Sequence, residues 1–550
     1  MITLSRFVAG QEVVHEKMFV HTDRNYYHTG EIIWFKIYNV DGAKFTPADI
    51  SKIAYVEVID SANKPVLQGK IALEGGRGNG SFTIPVNIPT GVYIFRGYTN
   101  WMKNFSSVYF FEKEIVVANA ASGQRSFIFS GEKKPQKNSG SLVINAEPDS
   151  RQYGKRKRVS ITINTNDANG KSLASDLSLS VYRLDSLVSQ DPVDISSTLE
   201  NASEPENPSD FPFPPEYKGH FVSGKMLDRN TRMASKFVNG YLTVMDDANS
   251  FYNARTDAKG NISFLVTKLN SADSIIVQTN SYYDREHQLE IESPFFNQYS
   301  PRKSSLFTAT TGFPSTMLEQ SINAQATAVY YEDKLNKFSF TRRDTTPFYY
   351  KEDMRYTLDD YTRFSKLEDV FREYVRPVDV SKRRGVFHLS VFNEVSRFIV
   401  DQEPLVLVDA VPVFDMNSLF AYDPLKVKTI DIVTSKYFKS GAVFPGIISL
   451  RTYKGRTDGL LIDPNANVLS YEIIQKHRDF YSPSYLRPGS GHLPDFRSLL
   501  YWNPSVKTDN SGKAAVEFYT SDLDGEFIIQ LNGTSAGGET GSVSTSITVK

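Results

Sequence analysis

Along three stretches of the chain, apolar and polar residues alternate. Val159, Ile161 and Ile163 alternate with Ser160, Thr162 and Asn164; Leu177, Leu179 and Val181 flank Ser178 and Ser180; Val543, Ile547 and Val549 alternate with Ser544, Ser546 and Thr548. A period of two sends successive side chains to opposite faces, so these segments predict strands with one wet face. The same turn, Asp-x-x-Gly, recurs at 167–170, 257–260 and 509–512, where Asp can bond the turn backbone and Gly supplies a positive φ. Hairpins repeated in at least three modules predict β-sandwich units. Helical spacing is convincing once. Phe364, Leu367, Val370, Phe371 and Tyr374 predict a helix over 365–375, with Ser365 and Glu368 as a capping box and Pro377 as its stop. A short helix is also expected around 315–328. Short strands around turns follow the 365–375 helix, making a small α+β domain.

Punctuation divides the chain. A first sandwich is expected over 15–120 and a second over 138–216, after the polar stretch SGEKKPQKNSG. The latter includes 188–216, rich in Pro, Ser and acid and read as a long loop or linker. A third β unit spans 217–292, a mixed connecting segment 293–358, the α+β domain 359–454, and a linker with a C-terminal β module 455–550.

Composition narrows the class. With 550 residues, 40% hydrophobic and 23% charged, the chain can bury several cores and is not disordered throughout. A formal charge of −1 gives no field to hold a polyanion, which argues against nucleic acid. The 37 Phe and 30 Tyr favour half-buried pleated surfaces. Cysteine is absent, which excludes disulfides, Cys-ligated zinc, thiol nucleophiles and an internal thioester, and suits an exported bacterial protein. The start, MITLSRFVAGQEVV, has one basic residue and no apolar core of signal-peptide length, and no run of about 18 apolar residues occurs anywhere. Membrane association would come from an anchor not present in the given chain, or from a partner.

Several segments resemble known families. EKMFVHTDRNYYHTGEIIWFK, through Tyr26, Tyr27, Gly30, Trp34, Phe35 and Lys36, resembles the macroglobulin-type (MG2) sandwich of α2-macroglobulin-like proteins. IPTGVYIFRGYTNWMKNF is similar to the closing hairpin of that domain in proteins of the Bacteroidota, and 142–184, with Tyr153, resembles a diverged second copy. The third unit is similar to carboxypeptidase-regulatory-like sandwiches through Gly224, Asp228, Thr256, Asp257, Gly260 and Phe264. PLVLVDAVPVFDMNSLFAYDPLKVKTIDIV with GAVFPGIISLRT resembles the plug domain of TonB-dependent outer-membrane receptors. The match runs through Val408, Asp409, Val411, Pro412, Pro424, Val427, Ile430, Asp431, Ile432, Gly446, Ile447 and Ile448. Ala410 stands where that family usually has Gly. About 95 residues follow Lys454, too few for a receptor barrel of roughly twenty strands at about ten residues each. The expected fold class is therefore mainly β: a multidomain string of Ig-like or macroglobulin-type β-sandwiches with a small α+β plug-like domain.

The patterns that carry catalysis or ligand binding are incomplete or out of context. GxSxG occurs at 533–537, but a nucleophile elbow needs a strand-turn-helix and this segment joins two strands. His15, His21, His28, His220, His287, His388, His477 and His492 are scattered, none in HExxH spacing; His21 and His28 are expected on strand surface. Asp246 and Asp247 read as a solvated turn, GGRGNGS at 75–81 as a flexible hairpin rather than a phosphate loop, and the basic run 155–158 as a solvated strand entrance. No catalytic, cofactor-binding or metal site is expected. Candidate partner-binding residues are Phe414, Met416 and Leu419, after the plug-like turn, and Trp101, which with Tyr98 and Met102 could form an aromatic platform or simply pack in the core.

The resulting expectation is a non-enzymatic interaction or scaffold protein of the cell envelope. It would be outer membrane-associated, periplasmic or at the cell surface, as an accessory subunit of an outer-membrane β-barrel complex for nutrient uptake or protein export or assembly. The alternative is a glycan-binding surface protein or carbohydrate-active enzyme, supported by the aromatic surplus. A protease-trapping inhibitor is the third reading, against which stands the missing Cys of a Cys-Gln thioester.

Overall fold

The structure, a computed structural model, describes residues 13–121, 140–184, 194–202, 205–246, 249–301, 313–339, 344–393, 397–399, 402–486 and 492–550. It is mainly β, as expected, and divides into two compact units. One is formed by the described residues of 218–296 and 341–474, the other by those of 13–217, 297–340 and 475–550. Among the described residues no helix is long and apolar enough to cross a membrane.

The larger unit holds two sandwiches. In the first, a three-stranded sheet (Glu16–Thr22, Ile32–Asp41, Arg77–Thr83) faces a five-stranded one (Tyr26–His28, Phe111–Ala118, Gly91–Thr99, Ile53–Ile59, Pro65–Ala72). Ile33, Phe35 and Ile37 point between the sheets, and the Phe35 ring lies 5.1 Å from that of Phe95. GGRGNGS is thus partly a strand of this sheet, not a free hairpin. A Cβ on Gly80 would come within 2.7 Å of Phe35 and Ile71, so close packing requires the glycine.

The second sandwich departs from the expected segmentation. Ser175–Arg183 lies between Leu499–Lys507 and Gly525–Ser535, while Arg158–Asp167 lies between Lys513–Tyr519 and Leu142–Pro148. Residues read as a second sandwich and as a separate C-terminal module therefore share one core, from Ile161, Leu177 and Leu179 to Phe518, Ile529 and Ile547. The stretch read as linker contributes a helix, Ile195–Asn201, capped by Asp194 and burying Ile195 and Leu199; two apolar residues four apart suffice to dock it.

The other unit combines the third sandwich with the α+β fold. The sandwich pairs Asn261–Val266, His220–Asp228 and His287–Ile291 against Ser250–Arg255, Asn239–Met245, Ser274–Gln278 and Asn467–Ser470. The α+β fold is a mixed five-stranded sheet in the order Met354–Thr357, Val427–Val433, Ile447–Thr452, Leu405–Val408, Val411–Pro412. Apolar residues pack against both faces of the sheet. Val406, Val408, Ile430, Ile432 and Ile448 meet the helix Leu367–Tyr374 and the short helix Met416–Phe420, whereas Leu405, Leu407, Val433 and Ile447 pack on Tyr241 and Phe251 of the third sandwich. The segments read as separate domains thus share a core. The capping box does not form: Lys366 is the N-cap, so Glu368 sits at the second helical position instead of the third.

Candidate functional site

The residues singled out as partner-binding are mostly inside. Met416 (4% exposed) and Leu419 (0%) belong to the α+β core, and Phe414 is half-buried with its ring 5.0 Å from Tyr241. Trp101 is 4% exposed, donates its indole N–H to the Val14 carbonyl (2.8 Å) and stacks on Phe211. Phe414, Met416 and Leu419 are thus corrected from surface to packing positions, because a neighbouring element covers the turn on which each sits, and for Trp101 the core-packing alternative holds. His21 and His28 are likewise buried, His21 against Ser178 (2.6 Å) and His28 against Gln320 (3.1 Å). Burial and the nearby Lys113 and Lys36 push the His21 imidazole well below its ordinary range. Ser535 ends one strand of a hairpin and donates to Glu539. Arg156 of the basic run is bound by Asp522 (2.6 and 2.5 Å) and lies over the Tyr485 ring. Asp246 accepts from Asn270 (2.7 Å), while Asp247 lies outside the described residues. Among the described residues no group of three or more His, Asp or Glu could hold a metal ion.

What the sequence reading did not single out is a cleft of about 540 Å³ in the unit formed by 218–296 and 341–474. Ser250–Arg255 of the third sandwich supplies one wall with Phe251 and Tyr252. The segment 344–350 supplies Phe348, Tyr349 and Tyr350; the turn after Leu405–Val408 supplies Asp409 and Ala410; the hairpin 437–444 supplies Lys439.

Among the described residues three cations line it, and two are paired. Lys268 bonds the carbonyls of Asp344 (3.1 Å) and Thr346 and lies 3.7 Å from the Asp344 carboxylate. Arg451 lies 3.4 Å from the buried Asp431, which also takes Arg355 (2.6 Å) and the Tyr349 hydroxyl (2.9 Å). Lys439 has no carboxylate partner among the described residues. Its ammonium sits 5.2 Å from the Phe348 ring centre and 6.0 Å from that of Tyr252, and burial lowers its pKa.

The backbone around the cleft is held in unusual conformations. Asn249 (φ +40°), Tyr350 (+59°), Asp409 (+47°) and Ala410 (+64°) all occupy the left-handed region. Their surroundings fix them: the Asp409 carboxylate accepts from Thr452 N (2.8 Å), Thr452 Oγ1 (2.6 Å) and Thr457 N (2.8 Å), Asn249 Nδ2 donates to the Asp409 carbonyl (2.8 Å), and Thr243 Oγ1 donates to that of Ala410 (2.9 Å). Asn249 Oδ1 is buried without a partner among the described residues.

The hairpin that carries Lys439 also presents an apolar outer face. Tyr437 donates its hydroxyl to the Phe348 carbonyl (2.7 Å), and Ser440 and Gly441, both at positive φ, form the two-residue turn that suits strand twist. Alternation then sends Phe438 outward, opposite Val443; they are 71% and 54% exposed. The run PFYYK at 347–351 was the signal available in sequence, but it fell in a segment read only as a connection.

No family model matches the chain, and no curated protein matches it. Among solved structures, the chain is similar to Salmonella α2-macroglobulin reacted with methylamine at 10% identity, covering 97% of this chain and 39% of that one, with a TM-score of 0.25. It is similar to trypsin-activated Escherichia coli α2-macroglobulin at 11% identity, covering 97% and 41%, with a TM-score of 0.25. The Yersinia pseudotuberculosis adhesin InvE matches at 9% identity over 50% of this chain and 57% of its own, with a TM-score of 0.13. The chain spans about two-fifths of the length of these α2-macroglobulins. Superpositions this loose do not transfer residue roles.

Proposed function

We propose that the protein is a non-enzymatic interaction protein of the bacterial cell envelope, of the macroglobulin-like kind resembled by Bacteroidota sequences. Its partner is an outer-membrane β-barrel protein or complex, serving nutrient uptake or protein export or assembly. The observation that carries this reading is the outer face of the hairpin 437–444. Phe438 and Val443 are a directly opposed cross-strand pair on a two-stranded ribbon, and their apolar surface meets solvent while Tyr437, Lys439, Ala442 and Phe444 turn inward or lie partly buried. An aromatic anchor of this kind commonly carries ~2 kcal/mol or more of an interface. This pair replaces Phe414, which is partly occupied by Tyr241. In affinity purification from native envelopes, Phe438→Ser with Val443→Ser is expected to leave the fold intact and to cut recovery of one outer-membrane barrel protein at least tenfold. Unchanged recovery by the folded variant would overturn the reading.

A further inference from the structure

We infer that the cleft between the third sandwich and the α+β sheet binds a carboxylate-bearing saccharide, with the Lys439 ammonium pairing the carboxylate and the Phe348 and Tyr350 rings meeting the sugar face. This goes beyond the partner reading, which concerns the opposite face of the hairpin.

Four observations converge. The volume, about 540 Å³, lies in the range that holds a small organic ligand. Of the three lining cations among the described residues, Lys268 faces Asp344 and Arg451 faces Asp431, so Lys439 is the one without a carboxylate beside it there. An ammonium withdrawn from water over two aromatic rings loses hydration that a carboxylate would replace. Asn249 lines the cleft, and its Oδ1 has no partner among the described residues; a hydroxyl can supply the donor it lacks and a bare carboxylate cannot. Finally, Tyr350 is 80% exposed at a φ of +59°. A bulky aromatic residue is seldom held at positive φ, and strained residues of this kind gather where a ligand is clamped. The hydroxylated body and the single negative charge point together to a uronic-acid type of sugar.

The test uses the full chain and tri-galacturonic acid, with its fully methyl-esterified form as the neutral counterpart, by titration calorimetry. The acid is expected to bind and the ester to bind at least tenfold more weakly. Lys439→Gln should weaken the acid at least tenfold while leaving the ester unchanged, and Lys439→Arg should restore most of the loss. Thermal unfolding of each variant confirms that it is folded. Phe438→Ser should bind the acid like the parent, which separates this site from the partner surface. Absence of binding by the acid, equal binding of acid and ester, or an unchanged Lys439→Gln would overturn the assignment. So would binding of a tripeptide through its C-terminal carboxylate in place of the saccharide.

Discussion

Ala410 shows how much one residue can disclose. Its φ of +64° puts a Cβ in the left-handed region, which costs about 1–2 kcal/mol. Bonds to Asp409 and Ala410 hold the turn regardless. Ala410→Gly is therefore expected to raise stability by about 0.5 kcal/mol, strain relief being partly offset by a lost methyl contact and a freer unfolded chain. A lower denaturant midpoint would refute this. The Asp-x-x-Gly turns were legible for the same local reason. Asp167, Asp257 and Asp509 each accept from the N–H groups two and four residues on, and Gly170, Gly260 and Gly512 have φ near +80°. A fourth turn of this kind lacks the glycine: Asn63, at φ +61°, stands three residues after Asp60, whose carboxylate accepts from Ala62 N and Lys64 N. Such signals lie within five residues. The cleft does not: Asn249, Tyr350, Asp409 and Lys439 meet through tertiary structure alone.

At the level of the element, alternation located strands but not what covers them. On Ile32–Asp41, Ile33, Phe35 and Ile37 face the first core as a period of two demands, yet the opposite face is also buried. Lys36 reaches Asp176 (2.8 Å), Tyr38 donates to the Asn532 carbonyl (2.9 Å), and Trp34 joins Tyr182, Leu499 and Trp502. That second covering is why His21, expected on the surface, is found inside. It also has a pH consequence. Burial depresses Lys113 to about 7 and Lys36 and Lys103 to about 8, the charge of Asp176 notwithstanding in the case of Lys36. Between pH 8 and about 9.5 the unfolded chain holds lysine protons that the folded one has released, so stability rises with pH across that window, until the buried tyrosines, raised by desolvation, turn the slope down. Asp23, raised by burial to about 6, acts in the opposite sense only below that value. The denaturant midpoint should thus be higher at pH 9.5 than at pH 7.5, with the slope reduced in Lys113→Met. A flat or falling profile in the parent would show that these lysines keep their protons when folded.

Across the whole molecule, the feature least visible in the sequence is the closure of the second sandwich by residues more than three hundred positions away. Val159, Ile161 and Ile163 pair with Phe518, Val516 and Ala514, and Leu177, Leu179 and Val181 with Gly533, Leu531 and Ile529. Alternation predicts each strand, but nothing local names its partner. The consequence is a dependence of one end of the chain on the other. Ending the chain at residue 494 removes four of the eight strands of this sandwich and leaves Leu177, Leu179 and Val181 without either neighbour in their sheet. Sheet edges and apolar faces uncovered to that degree do not stay folded. The strands of the unit formed by 218–296 and 341–474 all pair within that unit and lose no partner. Hydrogen exchange read by mass spectrometry should therefore find 142–183 fully exchanged in the truncated chain and protected in the parent. The strands Leu405–Val408 and Ile447–Thr452 should remain protected in both. Adding residues 495–550 as a separate peptide should restore part of the protection on 158–167 and 175–183, since the pairing needs the strands and not their connection. Protection of 142–183 in the truncated chain alone would mean that these strands hold a core of their own, and the shared sandwich would have to be abandoned.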